Sequence, residues 1–296
     1  MNAKPLVSLL FQSYNHRPFL EQSVGTALSQ TWQEKEVWVV DDGSTDGSHD
    51  ILADWSRRAG FRYDRQSNQG LIPTLNRMVA GSSGKYLALQ ATDDFWHDDK
   101  TRLQVEFLEE HPDVDVCIGS TVCVGSDGVP LALPSQQFLK SSPAGYGFEA
   151  LFLGKSAVPG ASSLIRRTAL ERMGPFDPAY PIEDLWLWLR LTRAGGKIAF
   201  LDNEIAFYRQ HGSNLHGRLE FMERETFRIL DLHRDHPLHG RALRRWKAAI
   251  FSSWSTTSKR EALRRLLSVS LREDQARKGL AKLLIPNTLW GRWKRI

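Results

Sequence analysis

Residues 36–48 read EVWVVDDGSTDGS, a short apolar run that stops abruptly at two aspartates and a turn. The β-branched residues before Asp41 favour a strand, and the Asp, Gly and Ser residues that follow are typical of a turn. The next segment, 46–60, begins with a helix-capping residue type and ends on glycine, which predicts a helix. A buried strand, a polar turn and a helix in succession indicate an α/β fold.

The same alternation of strand and helix continues on both sides of this stretch. Strands are predicted at 6–13, 36–40, 62–65, 85–90, 114–124 and 197–208, and helices at 18–30, 46–60, 71–80, 100–111 and 185–191. Residues 125–160 are rich in Gly, Pro and Ser and are predicted to form a loop, whereas only helical periodicity remains after about Gly217. The pattern predicts a Rossmann-like, mostly parallel sheet flanked by helices, with ligands beyond the carboxyl ends of the strands.

Length and charge suggest two regions with different roles. A chain of 296 residues is long enough for one main domain and an appendage. Residues 238–296 hold 15 Lys and Arg against three acidic residues, a net charge of +12, which leaves −7 for residues 1–237.

No apolar run approaches the roughly 18 residues of a membrane-spanning helix, and the N-terminus has no signal-peptide cleavage site. Cys117 and Cys123 are interpreted as buried free thiols of a reducing cytoplasm.

Several common functional motifs are excluded by their spacing. The segment GSSGK at 81–85 is too short for a phosphate-binding P-loop and has no Ser or Thr after its lysine. Asp42, Ser44 and Asp46 imitate the start of a calcium-binding EF-hand loop, but Ala53 stands where the bidentate glutamate is required. The chain has no GxGxxG after a strand, no HExxH and no GxSxG.

Three acidic sites remain as candidates for chemistry, at 41–42, 93–94 and 183–184. Adjacent carboxylates such as Asp93 and Asp94 repel one another unless a cation or donor groups compensate, and hard oxygen ligands suit Mg²⁺ or Mn²⁺. Each site also has a plainer interpretation, as a turn, a solvated cap or acidic residues that favour a helix N-terminus. The residue types alone leave both interpretations open.

The order of short segments is more specific than any one of them. The relevant segments are VSLLFQSYN at 7–15, SQTW at 29–32, VVDDGSTDGS at 39–48, NQG at 68–70, ATDDFW at 91–96, GASSLIRR at 160–167, EDLWLWLRL at 183–191 and YRQHGSN at 208–214. Together they resemble the family 2 inverting glycosyltransferases, bacterial polysaccharide-biosynthesis type, with the GT-A fold. The resemblance covers roughly residues 6–214. Thr92-Asp93-Asp94 departs from the Asp-x-Asp that many relatives have, so the metal-ligand set is expected to be thinner.

The resemblance implies a role for each matching position. On the donor side, Gln12 and Tyr14 are expected near the nucleoside, Asp41 on the pyrimidine base, Asp93 on the ribose or donor sugar, Asp94 on Mn²⁺ or Mg²⁺, and His211 beside the metal or diphosphate. On the acceptor side, Asp184 is the expected general base, with Gly160, Ser162 and Glu183 nearby. A single base and a single displacement would invert the anomeric centre.

The function implied is transfer of a sugar from a UDP or dTDP donor to a hydroxyl of a glycan or lipid-linked glycan, in surface polysaccharide synthesis. A rival interpretation is a sugar-nucleotide pyrophosphorylase, but the glycine-rich loop that it needs after the first strand is absent from residues 11–17. Another is a non-catalytic glycan- or membrane-binding module on the same fold. Residues 1–214 are predicted to form the GT-A catalytic domain and 215–296 a basic helical extension.

The basic extension has its own expected partners. Residues 241–284 place arginines and lysines between apolar residues at helical spacing, and Trp290 and Trp293 lie among further cationic residues. Such a segment suits peripheral binding to an anionic membrane, here the inner face of the cytoplasmic membrane. Packing on the body or formation of a homodimer stays open. Nucleic acid is not expected, because no recognition motif accompanies the charge.

Overall fold

An eight-stranded mixed sheet forms the centre of the described part of the chain, which comprises residues 3–131, 142, 145–212, 214 and 217–285 of the computed structural model. In sheet order the strands are β3 (Arg62–Arg65), β2 (Lys35–Asp41), β1 (Val7–Ser13), β4 (Tyr86–Ala91), β7 (Leu164–Arg166), β6 (Val116–Val124), β8 (Ile198–Arg209) and β5 (Phe95–Trp96). The pairs β1–β2, β1–β4, β2–β3 and β6–β8 are parallel, which confirms the predicted α/β class.

Two short antiparallel strands were not predicted from the sequence. β7 pairs with both β4 and β6, and β5 pairs with the end of β8. Strands of three and two residues carry no detectable alternation of polar and apolar side chains. They matter for the site, since β7 follows the turn at 160–163 and β5 follows Asp93 and Asp94.

Helices cover both faces of the sheet. The helices are α1 (Leu20–Leu28), α2 (Ser48–Ala59), α3 (Leu71–Ala80), α4 (Lys100–Glu110), α5 (Phe148–Phe152), α6 (Arg167–Met173), α7 (Glu183–Arg193), α8 (Leu219–Asp231), α9 (His239–Thr257), α10 (Lys259–Leu266) and α11 (Asp274–Leu284). Apolar residues of α1, α2 and α4 pack on one face, and those of α3 and α5 to α9 on the other. Alternate residues of β1 serve the two cores, with Leu9 and Phe11 in one and Leu10 in the other.

The loop predicted for residues 125–160 is wrong in one part, because α5 lies within it. Its side chains Leu151 and Phe152 are fully buried in the second core. A helix of five residues is too short to show a helical period in the sequence, and tertiary packing stabilises it instead. The predicted burial of both cysteines, Cys117 and Cys123, is confirmed.

The C-terminal helices share a core with the sheet. Ile229 and Leu230 of α8 and Ala242 of α9 belong to the same apolar cluster as the body. The Trp246 indole also donates a hydrogen bond to the Phe152 carbonyl at 2.9 Å. The helical character predicted after residue 215 is therefore found in the described residues, while the boundary at 214 stays a prediction. Trp290 and Trp293 lie outside the described residues, and no described helix is long and apolar enough to span a bilayer.

Candidate active site

A cavity of about 330 Å³ lies beyond the end of β4 and is bounded by the start of α7. It brings together two acidic pairs that are far apart in the sequence, Asp93 with Asp94 and Glu183 with Asp184. Most of the remaining wall is apolar and includes Leu71, Leu75, Leu89, Ile165, Phe176, Ile182, Leu187, Trp188 and Met222. A mostly apolar pocket with a few convergent polar groups is the usual form of a small-molecule site.

The Asp93–Asp94 turn is held by the end of β8. The Arg209 backbone N–H donates to Asp94 Oδ1 at 2.7 Å, and the Arg209 side-chain Nε donates to the Asp93 carbonyl at 2.8 Å. The Arg209 guanidinium also lies over the rings of Phe19 and Phe95 and is almost wholly buried. One arginine thus fixes the backbone of the turn and orients one of its carboxylates.

Two histidines contact the other carboxylate. His211 Nε2 donates to Asp93 Oδ2 at 3.1 Å, and His16 Nε2 lies 3.7 Å from the same oxygen. His16 Nδ1 shares a hydrogen bond of 3.1 Å with Thr92 Oγ1. Burial acts to raise the pKa of Asp93, but the His211 hydrogen bond and the nearby His16 lower it overall. Asp93 Oδ1 is buried and has no hydrogen-bond partner among the described residues.

This turn suits a divalent cation. Burial and the charge of Asp93 raise the pKa of Asp94 well above its usual value, so the pair needs further positive charge for both carboxylates to ionise. Within the described ranges no group of three or more His, Cys, Asp or Glu side chains could hold an ion by itself. Mg²⁺ and Mn²⁺ are typically held by one or two carboxylates, with water and substrate phosphates completing the shell. Asp94 would be the protein ligand, and His211 stays a predicted helper whose Nε2 is engaged by Asp93.

Asp184 and Glu183 lie in the first turn of α7 at the opposite wall. Asp184 Oδ1 accepts a hydrogen bond of 2.6 Å from the Leu185 backbone N–H, an arrangement that helix N-termini favour for carboxylates. Burial of its carboxyl group and the charge of Asp184 raise the pKa of Glu183 to about 8. At neutral pH Glu183 therefore holds a proton.

The turn at 160–163 separates the predicted acceptor residues. Gly160 lies against Asp184, since a β-carbon built on Gly160 would be 3.7 Å from the Asp184 Cβ. Ser162 does not line the cavity, because it is fully buried and its hydroxyl is turned toward the Pro159 carbonyl. Ala161 and Ser163 stand at the wall instead. Only one side of this 3₁₀ turn faces the cavity, and the sequence does not reveal which residues lie on that side.

A buried amine holds this turn from behind. Lys100 Nζ donates to the Ser163 carbonyl at 3.1 Å and to Gln104 Oε1 at 2.8 Å, and Gln104 Nε2 donates to the Ser162 carbonyl at 2.8 Å. The Trp96 indole donates to the Ala161 carbonyl at 2.8 Å. Burial lowers the pKa of Lys100 to about 7. Residues just after the Asp93–Asp94 turn therefore fix the backbone of the opposite wall.

The residues predicted to meet the nucleoside lie at the ends of β1 and β2. Gln12 is buried and Tyr14 is 40% exposed. Asp41 is wholly buried: one carboxylate oxygen accepts from the Ser44 hydroxyl, and Oδ2 lies 3.7 Å from Arg65 Nε without a hydrogen-bond partner among the described residues. A shallow depression lined by Gly43 and residues 65–68 opens at the same end of β2 and β3.

Asp42 has a structural role that the sequence did not separate from that of Asp41. Its carboxylate accepts backbone hydrogen bonds from Gln69 and Gly70, both at 2.8 Å, and thereby orders the loop at 66–70. Gly43 is required here, since its φ is +80° and a β-carbon would lie 2.8 Å from the Asn68 backbone nitrogen. The two aspartates of the DDGS turn therefore face different partners.

Sequence reasoning missed His16, Arg209 and Lys100 as parts of the site. His16 and Arg209 stand inside two of the family-like segments or directly beside them, at 7–15 and 208–214, but no spacing rule links them to Asp93. Lys100 is six residues after Asp94, where a lysine at a helix start is unremarkable. Their proximity to the acidic turn could not be detected without the fold.

An α/β sheet with an acidic turn beyond a parallel strand, facing a second acidic pair across one cavity, is the arrangement expected from the resemblance to the GT-A fold. Sequence comparison gives the family. The profile described as "Glycosyl transferase family 2" matches residues 8–174, and that described as "Glycosyl transferase family group 2" matches residues 93–285. The chain belongs to glycosyl transferase family 2.

Individual relatives agree with the family. An uncharacterized glycosyltransferase of Nostoc sp. is 30% identical over 220 residues, covering 71% of this chain and 66% of that protein. The putative teichuronic acid biosynthesis glycosyltransferase TuaG of Bacillus subtilis is 35% identical over 133 residues, covering 44% of this chain and 52% of the relative. The matches thus span between half and two thirds of the length of these two relatives.

Solved structures agree with the fold. TarS residues 1–349 of S. aureus, in complex with UDP-GlcNAc, superimposes with a TM-score of 0.64 at 16% identity, covering 94% of this chain and 80% of that chain. The mannosyltransferase PcManGT of Pyrobaculum calidifontis, in complex with GDP-Man and Mn²⁺, gives a TM-score of 0.64 at 18% identity, covering 99% of this chain and 85% of that chain. At such identities the likeness is one of fold alone.

Proposed function

We propose that the protein is an inverting, metal-dependent glycosyltransferase that moves a sugar from a nucleoside-diphosphate donor to a hydroxyl of a glycan or lipid-linked glycan acceptor. The observation that carries the proposal is the cavity that joins Asp93 and Asp94 to Asp184. A sugar placed between them would have its leaving group beside the first pair and the attacking hydroxyl beside Asp184. This is the arrangement that a single displacement with inversion needs.

The donor would extend from the cavity toward β1 and β2. Its base would meet Asp41, whose buried Oδ2 lacks a hydrogen-bond partner among the described residues, near Gln12 and Tyr14. The structural neighbours widen the range of plausible donors, since one is complexed with UDP-GlcNAc and another with GDP-Man. UDP and dTDP sugars remain the first choice, because Asp41 is the position where the family resemblance implies pyrimidine recognition.

The chain's own residues supply binding, orientation and proton transfer. Asp184 would accept the proton of the acceptor hydroxyl as it attacks the anomeric carbon. Asp93, fixed by His211, would bind the ribose or the donor sugar. A divalent cation on Asp94, when bound, would neutralise the departing diphosphate. The apolar walls would exclude bulk water and so limit hydrolysis of the donor.

The relatives and the basic extension support a proposal for the acceptor class and the cellular setting. TuaG is named for teichuronic acid biosynthesis, which supports a surface polysaccharide as the product. We further propose that the protein acts in the cytoplasm, at the inner face of the cytoplasmic membrane, where a lipid-linked acceptor would be presented. Formation of a homodimer through the C-terminal extension stays a prediction.

The test is release of nucleoside diphosphate from UDP-GlcNAc, UDP-glucose, a dTDP-sugar and GDP-mannose, with Mn²⁺, with Mg²⁺ and with chelator. We expect metal-dependent release from at least one donor, and a loss of roughly 10²- to 10³-fold in Asp94→Ala. Asp54→Ala, at a half-exposed aspartate on the surface of α2, is the matched control and should keep full turnover. Equal turnover of Asp94→Ala and wild type, or no release from any donor, would contradict the proposal.

A further inference from the structure

The outer side of α10 carries apolar and cationic side chains on one face. Residues 260, 263, 264 and 267 are spaced so that they share one side of a helix. Leu263 is 57% exposed and Leu267, at the end of the helix, is 99% exposed, while Arg260 and Arg264 are exposed between them. The opposite side packs inward, with Ala262 buried and Leu266 against Phe251 and Trp254.

Two further leucines are exposed in the segment that follows α10. Leu271, in the connection to α11, is 50% exposed, and Leu284, at the end of α11, is 77% exposed. Lys259 Nζ donates to the Ile285 carbonyl at 2.5 Å, so the end of α11 lies beside the start of α10. Four of the eight large hydrophobic side chains that are exposed in the described residues therefore lie in this one helical hairpin, whereas scattered single residues are the norm.

Cationic charge surrounds these leucines. Residues 259–285 carry eight Lys and Arg against three acidic residues, a net charge of +5. Glu261 pairs with Arg264 and Arg265, and Asp274 with Arg277. No ion pair within 4.0 Å involves Arg260, Arg272 or Lys278 in the described part of the chain, so the surface keeps a positive surplus. Apolar side chains between surplus cations are typical of helices that lie on anionic bilayers.

The two tryptophans of the extension that the structure describes, Trp246 and Trp254, do not form that surface. The Trp246 indole donates to the Phe152 carbonyl, and the Trp254 indole donates to Glu223 Oε2 at 3.0 Å. Both rings pack inward, so the sequence pattern of basic residues with tryptophan does not by itself locate the contact. In α10 and directly after it, Leu263 and Leu267 are the large apolar side chains that the structure shows exposed.

We propose that the face formed by Arg260, Leu263, Arg264 and Leu267 docks the protein on an anionic lipid bilayer. The leucines would enter the boundary between headgroups and acyl chains, and the arginines would meet lipid phosphates. A two-fold contact with a second copy would set the same positive face against itself. Residues 286–296 include Arg292, Lys294 and Arg295 and no acidic residue, so their side chains offer no negative charge to match this face. The proposal specifies the surface and does not depend on the catalytic assignment.

The test is flotation of the full-length protein with two kinds of vesicle, phosphatidylcholine alone and phosphatidylcholine mixed with phosphatidylglycerol. We expect binding to the anionic vesicles only, reduced by added salt. Leu263→Ser with Leu267→Ser should weaken it roughly tenfold or more, and Arg260→Gln with Arg264→Gln should remove the preference for anionic lipid. Leu232→Ser with Arg241→Gln changes an exposed leucine and an exposed arginine outside this face and should bind like wild type.

Three outcomes would overturn the proposal. The first is absence of wild-type binding to anionic vesicles, and the second is unchanged binding by the double leucine variant. The third is a dimer that sedimentation detects for the wild type and the other variants but not for the double leucine variant. That result would assign the face to a second copy. Because the substituted side chains are exposed, circular dichroism should show unchanged melting, and donor hydrolysis should be unchanged whether or not the vesicles bind.

Discussion

At the scale of single residues, the site depends on how neighbouring carboxylates divide their charge. Asp93 is kept ionised by His211 and His16, whereas burial and Asp93 itself raise the pKa of Asp94. Burial and the neighbouring Asp184 likewise raise the pKa of Glu183. In each pair, burial and the neighbouring carboxylate raise the pKa of one member, Asp94 or Glu183. Pairs of acids with separated pKa values are the usual means by which one site performs distinct roles.

The two acids of α7 can be told apart by amide substitution. Asp184→Asn removes the proposed base, and we expect kcat to fall about 10³-fold with donor KM little changed. Glu183→Gln imitates the protonated acid and should keep most of the activity at neutral pH. Because the pKa of Glu183 is about 8, wild-type kcat should decline above that pH as a second negative charge forms beside Asp184. The decline should be absent in Glu183→Gln.

The measurement is the pH profile of donor turnover for wild type and both variants. Equal losses in Glu183→Gln and Asp184→Asn at neutral pH would show that the two residues do not have the separate roles proposed here. A decline above pH 8 that persists in Glu183→Gln would assign that titration to another group.

At the scale of elements, α4 connects the two walls of the cavity. It begins six residues after Asp94, and its Lys100 and Gln104 hold the carbonyls of the turn at 160–163. The Trp96 indole of β5 donates to the Ala161 carbonyl of the same turn, and Lys100 Nζ lies over the Trp96 ring. The segment from β5 to α4 therefore sets the distance between the donor side and the acceptor side.

Lys100 should give this contact a recognisable pH dependence. Its pKa is about 7 in the folded protein against an ordinary 10.5. Between these values the unfolded chain holds a proton that the folded chain does not, so the free energy of unfolding rises with pH, by at most about 1.4 kcal/mol per pH unit. Below pH 7 both states hold the proton and the slope vanishes. Lys100→Met should lack this rise.

Urea unfolding of wild type and Lys100→Met at several pH values from about 6 to 10 measures the difference. Lys278→Met, at an exposed lysine of α11, is the control and should keep the wild-type slope. Parallel curves for wild type and Lys100→Met would contradict the burial of an uncharged amine at this position.

At the scale of the whole molecule, the extension and the catalytic body share apolar contacts. α8 and α9 contribute Ile229, Leu230 and Ala242 to the core that covers one face of the sheet. Gly154, with φ of +60°, lies against Trp246, where a β-carbon would be 3.2 Å from the indole ring. A division at residue 214 therefore separates regions by sequence character but cuts through one core.

We accordingly expect a single cooperative transition in calorimetry of the full chain. Trp246→Ala should lower the melting temperature, through a loss of about 2–3 kcal/mol, without splitting the transition, because the indole contact joins α9 to α5. Lys247→Ala, an exposed neighbour on α9, is the control. Two resolved transitions in the wild type would instead support an independently folding extension.

The sequence by itself determined the α/β class, most strand and helix positions and the acidic turns at strand ends. Those features are local: apolar periods, turn residues and caps act over a few neighbours. The order of the family-like segments also identified Asp93, Asp94 and Asp184 as candidates, and the structure places all three on one cavity.

Only the tertiary structure decided which groups surround them. His16 and Arg209 reach the acidic turn across 77 and 115 positions of the chain, and Lys100 reaches Ser163 across 63. Ser162 turned away from the cavity, and β5 and β7 formed only by pairing with distant strands. Likewise Trp246 and Trp254 pack inward, and the large apolar side chains exposed in the described part of the extension are leucines. Such contacts depend on long-range packing, which local sequence patterns do not encode.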